Sequence, residues 1–202
     1  MDTRQQLRSK LRRQRRALTP LQQKEASRRL LNQLGKIPAI QRVKHIAVYI
    51  DSDGEIGTQP IIEWCHRHNK RVYLPVLHPL SHNRLWFTQY TPSTPMKRNK
   101  YGILEPRKPY HRMLSAKRID LVLMPLVGFD TNGGRLGMGG GYYDRTFSYL
   151  KKPGINKPRL IGLAHELQKV DTLPIEPWDI PLSAVATDKA LHTYSHNREQ
   201  NK

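Results

Sequence analysis

The segment from Gly128 to Asp144 constrains the fold of this chain more than any other part of its 202 residues. Seven of its seventeen residues are glycine, including the triplet Gly139–Gly141. Glycine is unfavourable inside helices and strands, but it lets the backbone adopt positive φ and approach a ligand closely. The segment therefore predicts an irregular loop between regular elements, with bare backbone amides at its surface.

The polar residues of this segment indicate an anion site. Successive backbone amides in a turn form a concavity that binds phosphate, and a helix that begins just after the loop adds its positive end. Arg135 offers a forked cation to phosphate or carboxylate, and Asp144 lies at the start of the predicted helix, where a metal ion can be held. The pattern predicts a nucleotide-phosphate site with its magnesium ion.

Two common nucleotide motifs do not fit this loop. It lacks the Gly-Lys-Ser/Thr ending of a P-loop, so an ordinary NTPase site is excluded. A dinucleotide fingerprint follows directly on a strand, whereas the glycine triplet lies well beyond the predicted strand 119–124. A flexible surface loop without a ligand is the remaining alternative, which the flanking Arg135, Tyr142, Tyr143 and Asp144 disfavour.

Short apolar runs alternate with amphipathic segments along most of the chain. Such alternation predicts the α/β class, with a three-layer, mostly parallel, Rossmann-like sheet flanked by helices and a basic N-terminal helical segment. Residues 91–118 contain four prolines and predict an extended loop. Strands are predicted at 45–50, 71–76, 85–90, 119–124, 159–164 and 182–187, and helices at 3–18, 20–34, 58–68 and from the glycine loop to about residue 150.

Length and composition predict one cytoplasmic domain over residues 1–202, with a flexible tail from about 191 to 202. No apolar run approaches the roughly 20 residues that span a bilayer, and the N-terminus has no apolar signal region. The single cysteine, Cys65, excludes an internal disulfide and favours a buried apolar side chain. None of the nine histidines is predicted to join a metal cluster.

The net charge of +19 leaves more than one function open. Residues 1–44 hold thirteen Lys and Arg against two acidic residues. This surface could be a solvated helical face, could attract an anionic small substrate, or could bind RNA or a ribosome through phosphate contacts. Nucleic-acid binding is the least favoured of these, because the sequence has no recognised RNA-binding motif.

Several motifs together resemble one enzyme family. The longest is Pro125-Leu-Val-Gly-Phe-Asp followed by Gly134-Arg-Leu-Gly-Met-Gly-Gly-Gly-Tyr-Tyr-Asp, and shorter pieces occur over most of the chain. They resemble the 5-formyltetrahydrofolate cyclo-ligases, also called methenyltetrahydrofolate synthetases. The shorter pieces are Gly54-Glu-Ile, Tyr101-Gly-Ile-Leu-Glu-Pro, Gly162-Leu-Ala with Gln168, and Pro177-Trp-Asp-Ile-Pro.

The resemblance implies an ATP- and Mg²⁺-dependent ligase that closes 5-formyltetrahydrofolate to 5,10-methenyltetrahydrofolate and releases ADP and phosphate. The implied partners are ATP and a folate that carries a polyglutamate tail, with no membrane. The implied mechanism phosphorylates the formyl oxygen, which the neighbouring ring-closing nitrogen then displaces. Two alternatives remain: a basic RNA- or ribosome-associated protein that uses the glycine loop for phosphate contacts, and a folate-binding protein without catalysis.

The resemblance also implies roles for individual residues. Arg135 and Tyr142 are expected to be catalytic, and Asp144 and Asp179 to hold Mg²⁺. The expected ATP contacts are Arg4, Arg8, Arg135, Leu136, Gly137, Met138, Gly139, Gly140, Gly141, Tyr142 and Tyr143. The expected folate contacts are Ile50, Glu55, Tyr101, Met138, Gly139, Gly140, Gly141 and Tyr142.

This chain departs from the family pattern at three positions. The family usually begins its N-terminal Lys-x-x-Leu-Arg run with lysine, whereas the matching run here begins with Arg4, and the two cations bind phosphate differently. Met138 and Gly140 stand where some relatives carry basic side chains. Without those charges, the groups expected to stabilise the transferred phosphoryl group are Arg135, Mg²⁺ and the backbone amides.

Overall fold

The computed structural model describes residues 3–107 and 113–194. The two N-terminal helices begin with the same capping box, in which Thr3 and Thr19 accept a hydrogen bond from the backbone amides of Gln6 and Gln22. The glutamine side-chain oxygens in turn accept a hydrogen bond from the threonine amides at 2.7 and 2.8 Å. The α-helices are α1 Arg4–Arg16, α2 Pro20–Gly35, α3 Pro38–Arg42, α4 Gln59–Arg67 and α5 Tyr142–Phe147. Short 3₁₀ turns are Ala116–Arg118, Ser148–Lys151 and Glu166–Gln168.

An eight-stranded sheet forms the centre of the molecule, in the order β13-β12-β10-β7-β1-β2-β3-β6. The strands from β12 to β2 are parallel, and β13, β3 and β6 pair antiparallel at the two sides. The predicted α/β class with a mostly parallel sheet is confirmed. The strands are β1 His45–Ala47, β2 Arg71–Leu77, β3 Leu85–Tyr90, β4 Met96–Arg98, β5 Leu104–Pro106, β6 Met113–Leu114, β7 Leu121–Pro125, β8 Gly128–Asp130, β9 Arg135–Leu136, β10 Arg159–Leu163, β11 Lys169–Val170, β12 Ala184–Ala186 and β13 Leu191–Thr193.

Each face of the central sheet is covered by its own apolar core. Ile46 of β1 points into a core that contains Leu30 of α2 and residues of α3 and α4. The next residue, Ala47, points to the opposite face and joins a core with Phe147 of α5. This alternation follows from the two-residue period of a strand, and it gives the three layers that the sequence predicts.

A small three-stranded sheet positions the start of the glycine segment. It is formed by strands β11, β8 and β9, and β8 and β9 pair antiparallel on either side of a turn at 131–134. A third small core, made by Leu7 and Leu11 of α1 with Leu136 and two neighbours, joins α1 to this sheet. The basic helix α1 is therefore packed against the start of the glycine segment.

The sequence prediction of an extended loop at 91–118 is wrong in part. Strands β4 and β5 form a hairpin there, and β6 pairs with the edge strand β3. These strands contain two or three residues each, too few for periodicity to reveal. Proline does not exclude them, since Pro106 ends an edge hairpin where its missing N–H is tolerated.

The predicted flexible tail is also wrong at its start, because Leu191–Thr193 form β13 and pair antiparallel with β12. His192 fixes this strand through Glu166, with Nε2 3.0 Å from the carboxylate, and through the ring of Phe129 at a centroid distance of 5.2 Å. The rest of the predicted tail, 195–202, lies outside the described residues.

No helix among residues 3–107 and 113–194 is both long enough and apolar enough to cross a membrane.

We expect Leu30→Ala to lower the free energy of unfolding by about 2–5 kcal/mol, because it leaves a cavity in the core beneath α2. Leu30 is 0% exposed, whereas Leu21 in the same helix is 66% exposed. Leu21→Ala is therefore the matched control, with an expected change within about 0.5 kcal/mol. Urea unfolding followed by circular dichroism measures both variants, and equal losses would contradict this packing of α2.

Candidate active site

The part of the glycine segment between β9 and α5 takes backbone conformations that other residues rarely adopt. Gly139 has φ +100° and Gly141 has φ +64°, the latter immediately before α5. A Cβ added at Gly140 would lie 2.8 Å from the ring of Tyr142. The glycines are therefore required by both conformation and space, as the sequence predicts for a loop that exposes its backbone.

Arg8 of α1 lies against this segment. Its Nε donates a hydrogen bond to the carbonyl oxygen of Gly137 at 2.8 Å, and its guanidinium is 3.7 Å from where a Cβ of Gly139 would be. Burial and the nearby charge of Arg4 lower the pKa of Arg8 from its usual value. The helix thus brings a cation to the loop whose backbone is expected to bind phosphate.

Arg135 and Asp144, both predicted for the site, form an ion pair with each other. Arg135 is buried, and its Nε donates to the carbonyl oxygen of Ile180 at 3.1 Å. The amide of Ile180 in turn donates to Asp144 Oδ1 at 3.0 Å. Arg135 is therefore paired with a carboxylate in this structure, one of the two anionic partners that the sequence predicts for its forked cation.

Arg4 and Asp179 form a second ion pair, which joins residues 175 positions apart. Arg4 Nη1 lies 2.8 Å from Asp179 Oδ2 and also donates to the carbonyl oxygen of Pro174 at 2.8 Å. Burial alone would raise the pKa of Asp179, but the hydrogen bonds from Arg4 and from the Glu176 amide, together with the nearby arginine charges, outweigh it and lower that pKa. Arg135 also acts on Asp179 electrostatically, so the two pairs form one group, here named the Arg–Asp cluster.

The Arg–Asp cluster (Arg4, Arg135, Asp144 and Asp179) supplies the carboxylate oxygens that hard divalent cations prefer. Among residues 3–107 and 113–194, no three His, Cys, Asp or Glu side chains come together as a complete metal site. Mg²⁺ commonly takes only one or two protein carboxylates, with water and substrate phosphates as its other ligands. The donor chemistry of the cluster fits such a shared site.

A group of arginines around Asp53 is not predicted from the sequence. Arg15 is 0% exposed, and its Nη2 and Nε donate to Asp53 Oδ2 and to the Asp53 carbonyl oxygen at 2.8 and 2.9 Å. Arg12 lies 2.8 Å from the same carboxylate, which Arg16 also contacts. Burial opposes ionisation of Asp53, but these three hydrogen-bonded arginines lower its pKa to about 2.

A signal for these arginines is present in the sequence. Residues 4, 8, 12 and 15 follow one another at spacings of four and three, which places them along one face of a helix. The leucine stripe at 7 and 11 marks the adjacent buried face. The spacing alone is also typical of a solvated amphipathic helix, and it is the contacts of these four arginines with other segments that show the basic face to be packed against the protein.

Glu55, predicted to contact the folate, is buried beside Arg15. Its Oε2 accepts from the amide of Ser52 at 3.0 Å, and its Oε1 lies 3.8 Å from Arg15 Nη2. Burial raises the pKa of Glu55 to about 7. Glu55 also adds to the effect of burial in raising the pKa of Tyr143, which places the loop at 51–57 next to the start of α5.

The remaining predicted residues border the same region. Tyr101 and Tyr142 are in contact, with their hydroxyl oxygens 2.7 Å apart and their rings edge to face. Met138 is exposed, and its sulfur lies 4.0 Å from Arg15 Nη2. Ile50 packs at the margin of the core under α2, and Leu136 is buried against α1.

Comparison with known proteins gives a consistent result. A sequence profile described as the 5-formyltetrahydrofolate cyclo-ligase family matches residues 1–188. The 5-formyltetrahydrofolate cyclo-ligase of Escherichia coli K12 is 44% identical over 177 residues, covering 88% of this chain and 96% of that protein. The protein of the same name from Haemophilus influenzae is 43% identical over 180 residues, covering 89% and 94%.

Solved structures agree with these sequence matches. The 5,10-methenyltetrahydrofolate synthetase of Aquifex aeolicus superposes with a TM-score of 0.79 at 25% identity, covering 98% of this chain and 99% of that one. The Mycoplasma pneumoniae 5,10-methenyltetrahydrofolate synthetase gives 0.72 at 26% identity, covering 94% and 100%. The likeness therefore extends over both the sheet and the segments that border the candidate site.

We expect the stability of the protein to depend on Glu55 between about pH 4.5 and pH 7. The pKa of Glu55 is about 7 in the fold against an ordinary 4.5, so the folded chain binds more protons in this range. The stabilisation from protonated Glu55 is complete below pH 4.5 and is lost as the pH rises through 7. At about 1.4 kcal/mol per pKa unit, the loss is on the order of 3 kcal/mol.

Denaturant unfolding of the unmodified protein and Glu55→Gln from pH 4 to 8 measures this effect. As the pH rises across that range, the free energy of unfolding of the unmodified protein should fall relative to that of Glu55→Gln. Glu63→Gln, at an exposed position in α4, is the control and should follow the unmodified protein at every pH. Parallel curves for Glu55→Gln and the unmodified protein would exclude a raised pKa.

Proposed function

The chain belongs to the 5-formyltetrahydrofolate cyclo-ligase family, and we propose that α1, the loop at 51–57 and the glycine segment together form its active site. The enzyme uses ATP to convert 5-formyltetrahydrofolate to 5,10-methenyltetrahydrofolate. Family membership decides between the enzyme and the RNA-binding protein that the net charge left open, in favour of the enzyme.

The reaction needs activation of an unreactive oxygen. The formyl oxygen is a weak nucleophile, and as hydroxide it would be a very poor leaving group. In the proposed mechanism the γ-phosphoryl group of ATP moves to this oxygen, which forms an iminium phosphate and releases ADP. Nitrogen 10 then attacks the formyl carbon, the carbon–oxygen bond breaks, phosphate leaves, and nitrogen 10 loses its proton. The protein must therefore align two substrates and neutralise phosphate charge.

The contact between Arg8 and the glycine segment is the observation that carries this proposal. A guanidinium 2.8 Å from the Gly137 carbonyl borders a backbone that bends without side chains, which is the composition of a phosphate cradle. We assign the ATP phosphates to Arg8 and to the backbone of residues 136–143. Arg4 and Arg135 contribute further positive charge from the Arg–Asp cluster.

The same cluster is the proposed metal site. Asp144 and Asp179 would hold Mg²⁺, which when bound neutralises charge on the β- and γ-phosphates. Arg4 and Arg135 orient the two carboxylates before the nucleotide enters. When phosphate arrives, these arginines can exchange a carboxylate partner for a phosphate oxygen of the same charge, so no buried cation is left unpaired.

The folate is assigned to the opposite side of the glycine segment. Glu55 offers two acceptor oxygens to the adjacent N–H donors of a pterin ring, and Ile50 forms an apolar wall beside it. Tyr101 and Tyr142 provide aromatic surface, and Tyr142 with residues 138–141 would contact both substrates where the phosphoryl group is transferred. We further propose that the folate is polyglutamylated and that residues 1–202 act as one cytoplasmic domain.

The direct experiment mixes the purified protein with Mg-ATP and 5-formyltetrahydrofolate and follows the near-ultraviolet absorbance of the methenyl product. We expect the band to grow only when ATP, folate and Mg²⁺ are all present. Growth without Mg²⁺ after treatment with a chelator would exclude the metal assignment. Folate binding without product would identify a folate-binding protein that lacks catalysis.

We expect Asp144→Asn to lower kcat/KM at least about 100-fold, because a neutral amide loses the charge that holds the metal and orients Arg135. Asparagine retains an oxygen that can accept from the Ile180 amide, so the fold should survive. Steady-state kinetics and thermal unfolding are measured together on this variant. Glu25→Gln, which removes an exposed carboxylate paired with Arg29, is the charge-matched control and should stay fully active. Full activity in Asp144→Asn would refute the metal assignment.

A further inference from the structure

Arg145, on the second turn of α5, folds back over the glycine triplet. Its Nη1 donates a hydrogen bond to the carbonyl oxygen of Gly140 at 2.8 Å. A Cβ added at Gly141 would lie 2.6 Å from the same nitrogen and 3.3 Å from Cζ of Arg145. The bare backbone of Gly140 and Gly141 therefore gives the guanidinium the space in which it lies.

The charge of Arg145 is not neutralised as that of Arg4 or Arg135 is. Those two arginines are paired with Asp179 and Asp144, whereas the hydrogen bond of Arg145 goes to a neutral carbonyl. No Asp or Glu oxygen in residues 3–107 or 113–194 lies within 4.0 Å of the Arg145 guanidinium. The side chain is exposed, so this cation can bind an incoming anion without giving up a carboxylate.

Arg145 is also near the residue expected to lie between the two substrates. Its positive charge acts on the hydroxyl of Tyr142, whose oxygen is 2.7 Å from that of Tyr101. Met138 and Gly140, the neighbouring positions on the loop, carry no charge. Arg8 contacts Gly137, so the two arginines border the glycine-rich residues 137–141 at their two ends.

We propose that Arg145 is a further catalytic residue that binds the phosphoryl group during its transfer from ATP to the formyl oxygen. This inference rests on the proposed function of the same site. Negative charge is spread over the equatorial oxygens of the transferring group, and a forked guanidinium can contact two of them. Arg145 exchanges the Gly140 carbonyl for these oxygens, and thus supplies the cation that Met138 and Gly140 do not.

Arg145→Gln and Arg145→Lys test this role. We expect kcat to fall about 100- to 1,000-fold in the glutamine variant, with lysine intermediate because it keeps the charge without the fork. The KM for 5-formyltetrahydrofolate should change less than twofold, as for a residue that acts on the phosphoryl group alone. Arg67→Gln removes an exposed arginine at the end of α4 and is the control, with kinetics equal to those of the unmodified protein.

Calorimetric titration with Mg-ATP, ADP and AMP separates this role from a purely structural one. Contact with the transferred group predicts weaker ATP binding and unchanged AMP binding in both variants. An equal loss for all three nucleotides would show that Arg145 only shapes the loop and would overturn the inference. Unchanged kcat in a folded Arg145→Gln protein would overturn it as well. The unmodified protein must first form the methenyl product, and its failure to do so would refute the proposed function itself.

Discussion

The arrangement of the site depends on one buried charge, the guanidinium of Arg15. Removing an ion from water strongly destabilises a folded protein unless other groups replace the hydrogen bonds to water. The loss of any one partner of Arg15 would therefore leave a buried charge incompletely paired. Arg15 donates to the side chain and the backbone of Asp53 and to the Leu126 carbonyl at 3.1 Å. It thereby fixes α1 to the loop at 51–57 and to the end of the central strand β7, three segments that are distant in sequence.

The fixed direction of α1 accounts for the position of the other arginines. Residues four apart on a helix project from the same face, so anchoring Arg15 and Arg12 at Asp53 directs Arg8 and Arg4 along a single line. That line passes the glycine segment at Gly137 and reaches Asp179. Leu7 and Leu11 pack α1 against Leu136 through apolar contacts. One helix therefore connects the loop assigned to the folate with the loop assigned to ATP.

The sequence predicts the local features of this protein better than its long-range pairings. Glycine composition reveals the loop at 128–144, and apolar runs reveal the central strands, because both depend on neighbouring residues. The hairpin of β4 and β5 and the strand β13 are stabilised by pairing with neighbouring strands. Because each of these strands contains only three residues, a sequence such as Leu191–Thr193 shows no periodicity that would predict a strand. The Arg4–Asp179 pair joins residues 175 apart, and no pattern in one sequence connects them.

The pairing of arginines with aspartates explains how the proposed phosphate site can exist before its ligand arrives. Four charged groups of one sign would repel one another strongly, whereas alternating Arg135, Asp144, Arg4 and Asp179 leaves the cluster nearly neutral. In the proposed site, a nucleotide would exchange one set of anionic oxygens for another, and the carboxylates released from arginine would become available to a cation. Within residues 3–107 and 113–194, the hydrogen bonds of Arg8 and Arg145 go to backbone carbonyl groups, so their positive charge remains available for the phosphates of the proposed site. A nucleotide could thus bind by replacing carboxylates at the Arg–Asp cluster and by direct attraction to Arg8 and Arg145.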